Sequence, residues 1–283
     1  MSTRIEWCDE SWNPMVGCSP ISEGCLNCYA ERMAGRNLPV TRCPECEGTG
    51  DNGPCGPSPE DYHWCPVCHG TGNVGFTPTF HPDRLDKPLH WRKPRRVFVN
   101  SMSDLFHEAF TDEQIRRVVD TAWLAPQHCF MVLTKRPERM QAFMSDYAPE
   151  PLVNLWLGVT AENQQRADER IPVLLDTPAA VRFVSVEPML SAVDLTEWLP
   201  CPQKTCPTGD CHERWECHPE HALSWVILGG ETGSGARPMQ PEWAKAVFDQ
   251  CRAAGVPFFW TRGSKGVEYD HELTATREVP RAV

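Results

Sequence analysis

The segment Phe130-Met131-Val132-Leu133-Thr134-Lys135-Arg136 is a short apolar run that ends in a hydroxyl and two cations. Short apolar runs alternate with helical patterns along most of the chain, which is typical of βα units and a parallel sheet. The other predicted strands are residues 97–99, 155–159, 181–186, 225–228 and 256–260. Predicted helices include 111–123, capped by Thr111 and followed by Pro126, and 241–254, stopped by Gly255. The sequence therefore predicts an α/β fold.

Polar or charged residues follow each predicted strand at the point where it ends. These segments are Asn100-Ser101-Met102-Ser103-Asp104, Thr134-Lys135-Arg136, Thr160-Ala161-Glu162-Asn163, Glu187-Pro188, Gly229-Gly230-Glu231-Thr232-Gly233 and Thr261-Arg262. The carboxyl ends of parallel strands converge on one edge of a sheet or barrel, where active sites lie. We therefore expect a site at this edge. The plainer interpretation is that polar residues simply begin surface loops.

Three cysteines, Cys18, Cys25 and Cys28, lie in a Gly/Pro/Ser-rich loop that runs into a helix-like stretch, residues 29–34. A four-iron cluster has one metal ion per corner, so three thiolates leave one iron free to bind a small molecule, whereas structural zinc usually takes four ligands. Backbone N–H groups at a helix N-terminus favour the negative charge of thiolates. The alternative is that these are ordinary buried cysteines in a chain that holds 15 of them.

The charge of the chain limits its partners. Its 283 residues carry a net charge of −11, which argues against a protein that coats nucleic acid. One basic run, Trp91-Arg92-Lys93-Pro94-Arg95-Arg96, would suit phosphate contacts with a stacking Trp91, or is a solvated lead-in to a strand. Neither a signal segment nor a long apolar run is evident, so we expect a cytoplasmic protein with reduced thiols and no membrane contact.

Two cysteine-rich segments interrupt the βα pattern and divide the chain into a core (1–40, 77–198 and 223–283) and two inserts. The first insert, 41–76, carries two knuckles, Cys43-Pro44-Glu45-Cys46 and Cys65-Pro66-Val67-Cys68, spaced like a four-thiolate zinc site. The second, 199–222, carries Cys201, Cys206, Cys211 and Cys217. Structural zinc is the simplest prediction for both, with an auxiliary iron–sulfur cluster as the alternative for the second.

Several motifs together resemble a known family. They are Ile5-Glu6-Trp7, Trp12-Asn13-Pro14, Gly17-Cys18, Gly24-Cys25-Leu26-Asn27-Cys28-Tyr29-Ala30-Glu31, Val99-Asn100-Ser101-Met102-Ser103-Asp104-Leu105-Phe106-His107, Leu133-Thr134-Lys135-Arg136-Pro137-Glu138 and Gly229-Gly230-Glu231. The combination resembles a phage and bacterial three-cysteine-motif family of largely unknown function, similar to radical S-adenosylmethionine enzymes and distantly to spore photoproduct lyase. The resemblance covers the core but neither insert. The Cys-x6-Cys-x2-Cys spacing differs from the Cys-x3-Cys-x2-Cys that is commonest in that superfamily.

This resemblance implies a partial (β/α) barrel of the radical S-adenosylmethionine type with a 4Fe-4S cluster on the three cysteines. The free iron would bind S-adenosylmethionine, whose reductive cleavage gives a 5′-deoxyadenosyl radical. The residues expected around this cosubstrate are Tyr29, Asn100, Ser101, Ser103 and Asp104. For the substrate we expect Glu187, Glu231, Lys135 and Arg136, each of which would alternatively hold the barrel mouth together through an ion pair.

Two functions follow as competing hypotheses. The first is a radical enzyme that modifies or repairs a nucleobase, nucleotide or nucleic acid and is supplied by an electron-donor protein. A phage-encoded enzyme of this kind would act in the host cytoplasm. The second is a non-catalytic zinc protein, an adaptor or nucleic-acid-binding module whose cysteines are all structural. A barrel that has lost its cleavage activity is a third reading. Fold and cluster alone leave the substrate and the oligomeric state open.

Overall fold

A single parallel sheet organises the protein. The structure, a computed structural model, describes residues 5–37, 51–54, 62–64, 76–200 and 221–280. The strands of the main sheet are β1 (Glu10–Trp12), β6 (Arg96–Val99), β7 (Cys129–Thr134), β8 (Leu155–Thr160), β9 (Arg182–Val186), β10 (Trp225–Leu228) and β11 (Phe258–Trp260). They are hydrogen-bonded in that order and all neighbours are parallel. Because the order follows the chain without reversal, the sheet curls as part of a (β/α) barrel rather than winding in two directions.

Two short antiparallel pairs accompany the main sheet. Strand β2 (Met15–Val16) pairs with β5 (Thr79–Phe80), and β3 (Asp51–Pro54) pairs with β4 (Tyr62–Trp64). The β2–β5 pair brings the chain that follows the first insert back beside the segment that precedes the cysteines. It therefore helps to fix the cysteine loop to the core.

Helices connect most of the strands. They are α1 (Tyr29–Asn37), α2 (Asp112–Leu124), α3 (Pro137–Tyr147), α4 (Gln164–Leu175), α5 (Pro241–Ala254) and α6 (His271–Ala275). Thr111 and Gln114 form a reciprocal capping box at the start of α2, and Gly255 ends α5 in the left-handed conformation with φ +67°. The cap at Thr111 and the helix end at Gly255 were both predicted from the sequence. None of the described helices has the length and apolar character needed to cross a bilayer.

Apolar residues cover both faces of the sheet. On one face, alternate strand residues such as Val132, Leu157 and Val184 pack against buried side chains of α2 to α5. On the other face, the inner face, ten buried side chains form a layer that is mainly aromatic: Trp7, Cys8, Phe98, Met131, Trp156, Val181, Phe183, Trp225, Ile227 and Phe259. Trp225 lies at its centre, with ring centroids 5.6 Å from Phe183 and 6.1 Å from Trp156. This double burial explains why the strands read as continuous apolar runs.

The six strands expected from the sequence are confirmed with small shifts at their ends. Strand β11 begins at Phe258 rather than Val256 because Pro257 cannot donate a hydrogen bond to the sheet. Strand β1 lies inside the segment between Trp7 and Trp12 and was not among the strands predicted from the sequence. The eight cysteines predicted for zinc, Cys43, Cys46, Cys65, Cys68, Cys201, Cys206, Cys211 and Cys217, lie outside the described residues.

The chain leaves and re-enters the core at a single point around the second insert. The backbone N–H of Leu223 donates to the carbonyl of Trp198 at 2.9 Å. Both residues are buried, with exposed fractions of 0% and 5%. The insert therefore departs from the core and returns to it at neighbouring backbone positions.

Candidate functional site

The inner face changes from aromatic to small and polar side chains towards the carboxyl ends of the strands. Side chains of a strand alternate between faces, so Phe183, Ser185 and Glu187 share the inner face, as do Met131 and Lys135. Above the aromatic layer the inner face therefore carries small and polar groups. Gly229 belongs to this level, because a Cβ there would overlap the Thr261 hydroxyl and lie 3.1 Å from Oε1 of Glu187. We call this region, lined by Lys135, Glu187, Gly229 and Thr261, the mouth.

The cysteine loop is anchored to the loop after β6. Gly17 has φ +84° and forms a bridge with Ser103, whose hydroxyl donates to the Gly17 carbonyl at 2.5 Å. A Cβ on Gly17 would collide with the carbonyl oxygen of Thr77, so only glycine fits. The next residue, Cys18, donates its backbone N–H to Phe76 at 3.2 Å. The path of the chain into the first cysteine is thus fixed by backbone contacts.

Cys18, Cys25 and Cys28 are free, half-buried thiols that influence one another electrostatically. The pKa of Cys18 is raised to about 12, mainly by burial and then by the charge of Asp104, with smaller contributions from Cys25 and Cys28, while Arg136 opposes the rise. Burial also raises the pKa of Cys28, while the backbone of Glu31 and Ala30 in the first turn of α1 lowers it. The three sulfurs therefore share one neighbourhood beside a helix N-terminus.

A site for a single metal ion places stricter demands on the side chains than a four-iron cluster does. Within the described part of the chain, no three His, Cys, Asp or Glu side chains are grouped so that they could hold a metal ion. The three thiols thus do not form a ready-made site for one ion. A four-iron cube is broader than a single ion, so its thiolate ligands stand farther apart than those of zinc.

Lys135 and Arg136 point to different places although they are adjacent. Burial lowers the pKa of the Lys135 ammonium, but Cys25, Glu162 and Cys28 outweigh that effect and raise it, so the side chain stays charged beside the thiols. Its ammonium makes no hydrogen bond or ion pair with any of the described residues. Arg136, in contrast, is buried and bonded to the protein's own groups. Lys135 is therefore the cation available to a ligand.

Glu162 lies under the cysteine loop and was not among the predicted site residues. It is fully buried, and its Oε2 accepts a hydrogen bond from Nη1 of Arg170 at 2.9 Å. Its Oε1 has no hydrogen-bond partner among the residues that the structure describes, and a Cβ on Gly24 would lie 2.9 Å from that oxygen. The carboxylate thus packs directly on Gly24, next to Cys25. Its place just after β8 was the only sequence signal that could have identified it.

Glu187 and Glu231, both predicted to contact substrate, have opposite surroundings. Glu187 accepts a hydrogen bond from the Thr261 hydroxyl at 3.0 Å, and burial raises its pKa despite the nearby Arg262. Burial would also raise the pKa of Glu231, but hydrogen bonds from Arg237 and Asn27 lower it to about 2. Glu231 is therefore an ionised support of the cysteine loop, whereas Glu187 is the carboxyl group that lies in the mouth.

The residues expected around a cosubstrate connect the loop after β6 to its neighbours. The Tyr29 hydroxyl donates to the Ser101 carbonyl, and the Ser101 hydroxyl donates to Oδ1 of Asn13 at 3.2 Å. Asp104 accepts from the Thr134 hydroxyl at 2.7 Å, and Asn100 adopts φ 58°. Sequence reasoning missed Asn13 as a partner, although it stands in the Trp12-Asn13-Pro14 motif.

A family model described as a protein of unknown function (DUF5131) matches residues 2–278. The chain belongs to the DUF5131 family. No curated protein and no solved structure matches it significantly. The match spans the core together with both cysteine-rich inserts.

In this DUF5131 member, the basic run of residues 91–96 and the mouth lie at opposite edges of the sheet. Residues 91–96 lead into β6, so they lie at the amino-terminal edge of the sheet, whereas the cysteines lie at the carboxyl-terminal edge. Arg95 pairs with Glu10 at 2.5 Å and Arg96 with Asp9 at 3.4 Å, and the Arg95 guanidinium stacks on Trp91. The basic run and the cysteines therefore do not form one surface.

Proposed function

We propose that this protein holds a 4Fe-4S cluster on Cys18, Cys25 and Cys28 and acts as a radical S-adenosylmethionine-type enzyme on a nucleobase, nucleotide or nucleic acid. The observation that carries the proposal is the shared neighbourhood of three free thiols with Lys135 at the carboxyl edge of a parallel sheet. Cations beside the thiols suit a cluster that brings negative charge into a half-buried site. The resemblance described for the sequence points to the same chemistry.

When bound, such a cluster supplies the electron that cleaves S-adenosylmethionine reductively. The chain's own residues would then orient the reactants and exclude water. The inner-face layer around Trp225 and Phe183 closes the site from below with apolar rings. A dry floor of this kind limits side reactions of a reactive species.

Lys135 and Glu187 would recognise the substrate. A free ammonium suits a phosphate or carboxylate group, and a carboxyl group whose pKa is raised can donate as well as accept a hydrogen bond. Two apolar side chains stand exposed beside the cysteines, Leu26 at 75% and Tyr29 at 42%. Aromatic and apolar surfaces next to a cation suit a nucleobase and its phosphate.

Anaerobic reconstitution tests the proposal. Purified protein is incubated with iron and sulfide, desalted, and analysed for iron, zinc and visible absorption. We expect about four irons bound to the three-cysteine site, defined as the iron that is lost when Cys18, Cys25 and Cys28 are all replaced by alanine. Reduced protein should then convert S-adenosylmethionine into 5′-deoxyadenosine.

Cys129→Ala is the matched control, because Cys129 is also a free, half-buried thiol but lies at the start of β7, at the opposite edge of the sheet. It should keep its iron and its activity. Zinc at every cysteine group and no iron in the anaerobic protein would instead support the non-catalytic zinc protein. A cluster that never yields 5′-deoxyadenosine would reject the enzymatic part of the proposal.

A further inference from the structure

Arg136 is a buried guanidinium at the end of β7 that joins three parts of the site. Its Nε donates to Oε2 of Glu108 at 2.8 Å, and its Nη2 lies 3.3 Å from both the carbonyl and the hydroxyl of Ser19. Its Nη1 lies 3.3 Å from Oδ2 of Asp104. The arginine is held in one orientation by these contacts, so its direction towards the cysteine loop is fixed.

The same Nη1 also donates to Sγ of Cys18 at 3.7 Å. Cys25 contacts the neutral Ser22 hydroxyl at 3.8 Å, and Cys28 contacts the backbone of Ala30 and Glu31. Among the described contacts, Cys18 therefore differs from the other two thiols in having a charged donor. N–H donors and positive charge next to a cluster ligand stabilise the more negative, reduced state of the cluster. Arg136 therefore acts on the charge of the site through Cys18 rather than through a substrate.

Two carboxylates partly neutralise the positive charge of Arg136, and they differ in burial and in the number of other hydrogen bonds that they accept. Asp104 is buried and accepts additional hydrogen bonds from the Thr134 hydroxyl and from the backbone of Lys135 and Phe106. The Glu108 side chain is 65% exposed. Its charge can be removed without emptying a buried position, whereas that of Asp104 cannot.

We propose that Arg136 is a positioning residue that raises the reduction potential of the cluster through Cys18, and that Glu108 attenuates this effect. This inference rests on the proposed function and extends it, since it assigns the residues that set the reduction potential of the cluster. It removes Arg136 from the residues that would grip a substrate carboxylate or phosphate. It also gives the exposed Glu108 a role that its position on the surface does not suggest.

A redox titration of the anaerobic, reconstituted full-length protein tests the inference, with the reduced fraction followed by electron paramagnetic resonance. At a fixed applied potential, Arg136→Met should lower the ratio of reduced to oxidised cluster about tenfold, which corresponds to 59 mV for one electron. Glu108→Gln should raise that ratio, about threefold, because glutamine keeps an acceptor for Nε while losing the charge. Arg136→Lys should fall between Arg136→Met and the parent. Glu150→Gln, at an exposed glutamate of the loop after α3, is the control and should leave the ratio unchanged.

The outcomes separate the two proposals. If the parent protein assembles no cluster, the proposed function and this inference both fail. If all variants hold the cluster and their ratios agree within twofold, only the inference fails. Should Arg136→Met not fold, Glu108→Gln decides alone, since an unchanged or lowered ratio in that variant contradicts the assigned role.

Discussion

The side-chain amide of Asn27 donates a hydrogen bond to Oε2 of Glu231 at 2.9 Å, across 204 positions of sequence. Asn27 lies between Cys25 and Cys28, and Glu231 follows β10. Arg237 completes the contact, since its Nε donates to the same oxygen at 2.9 Å and its Nη2 donates to the Glu23 carbonyl at 3.0 Å. The cysteine loop is therefore attached to the far side of the mouth as well as to the loop after β6.

Replacing Glu231 by glutamine should change the acid sensitivity of the fold. The folded pKa of Glu231 is about 2, below the ordinary value of 4.5, so its ionised form stabilises the protein above pH 4.5 and that contribution disappears as the pH falls towards 2. We expect Glu231→Gln to cost about 2 kcal/mol at about pH 6 and much less at about pH 3. Urea unfolding at the two pH values measures the difference. An equal loss for Glu231→Gln at both pH values would contradict the assignment.

Glu187→Gln should have the opposite effect. Burial raises the folded pKa of Glu187 above 4.5, so the stabilisation is fully present below that pH and is lost as the pH rises and the buried carboxyl ionises. We expect the variant to be about 1 kcal/mol more stable than the parent at about pH 7 and nearly equal to it at about pH 4. Unfolding curves at both pH values test this. A variant that is less stable at neutral pH would show that Glu187 is well solvated or better paired than its contacts indicate.

The glycine at position 229 is required by the close approach of Thr261. A Cβ would overlap the Thr261 hydroxyl, so Gly229→Ala should cost about 1–3 kcal/mol of unfolding free energy. In a Thr261→Ala background that hydroxyl is missing, and the same substitution should cost clearly less. A double-mutant cycle measured by urea unfolding gives the coupling between the two positions. Additive effects would mean that the clash is relieved elsewhere.

Lys135→Met should weaken retention of the proposed cluster. Its ammonium is the charge that faces Cys25, Cys28 and Glu162, and its removal leaves their negative charge less compensated. We expect iron release to a chelator to be about tenfold faster, equivalent to about 1.4 kcal/mol. Lys245→Met is the matched control, because Lys245 pairs with Asp249 on the surface of α5. Equal release rates in the two variants would exclude this role for Lys135.

Much of the fold was predictable because the sheet is buried on both faces. Strands such as Cys129–Thr134 and Trp225–Leu228 appear in the sequence as short continuous apolar runs, and the capping signals of α2 and α5 are local. Strand β1 was harder to recognise because it has three residues and begins with a glutamate. The division of the apolar residues between helix-covered and inner faces needed the register of the sheet.

The common edge of the candidate site was predictable, but its contacts were not. The polar residues that follow the strands do lie at one edge of the sheet, which follows from parallel pairing alone, and a functional site at that edge stays a prediction. Which of them face a ligand depends on long-range contacts: Arg136 is bound to Glu108, and Glu231 to Arg237 and Asn27. A local pattern does not specify such partners. The roles of Lys135 and Glu187 in substrate binding stay predictions.

The hydrogen bond between Leu223 and Trp198 has a consequence for how the chain can be altered. When the two ends of an inserted segment are hydrogen-bonded neighbours, a change in the length of that segment need not move the rest of the chain. We therefore expect that the chain between the buried residues Leu199 and Ala222 can be exchanged for a short connector, or for another small module, without displacing β10. This junction lies just before β10, at the edge of the sheet opposite the three cysteines, so engineering there would leave the cysteine loop untouched.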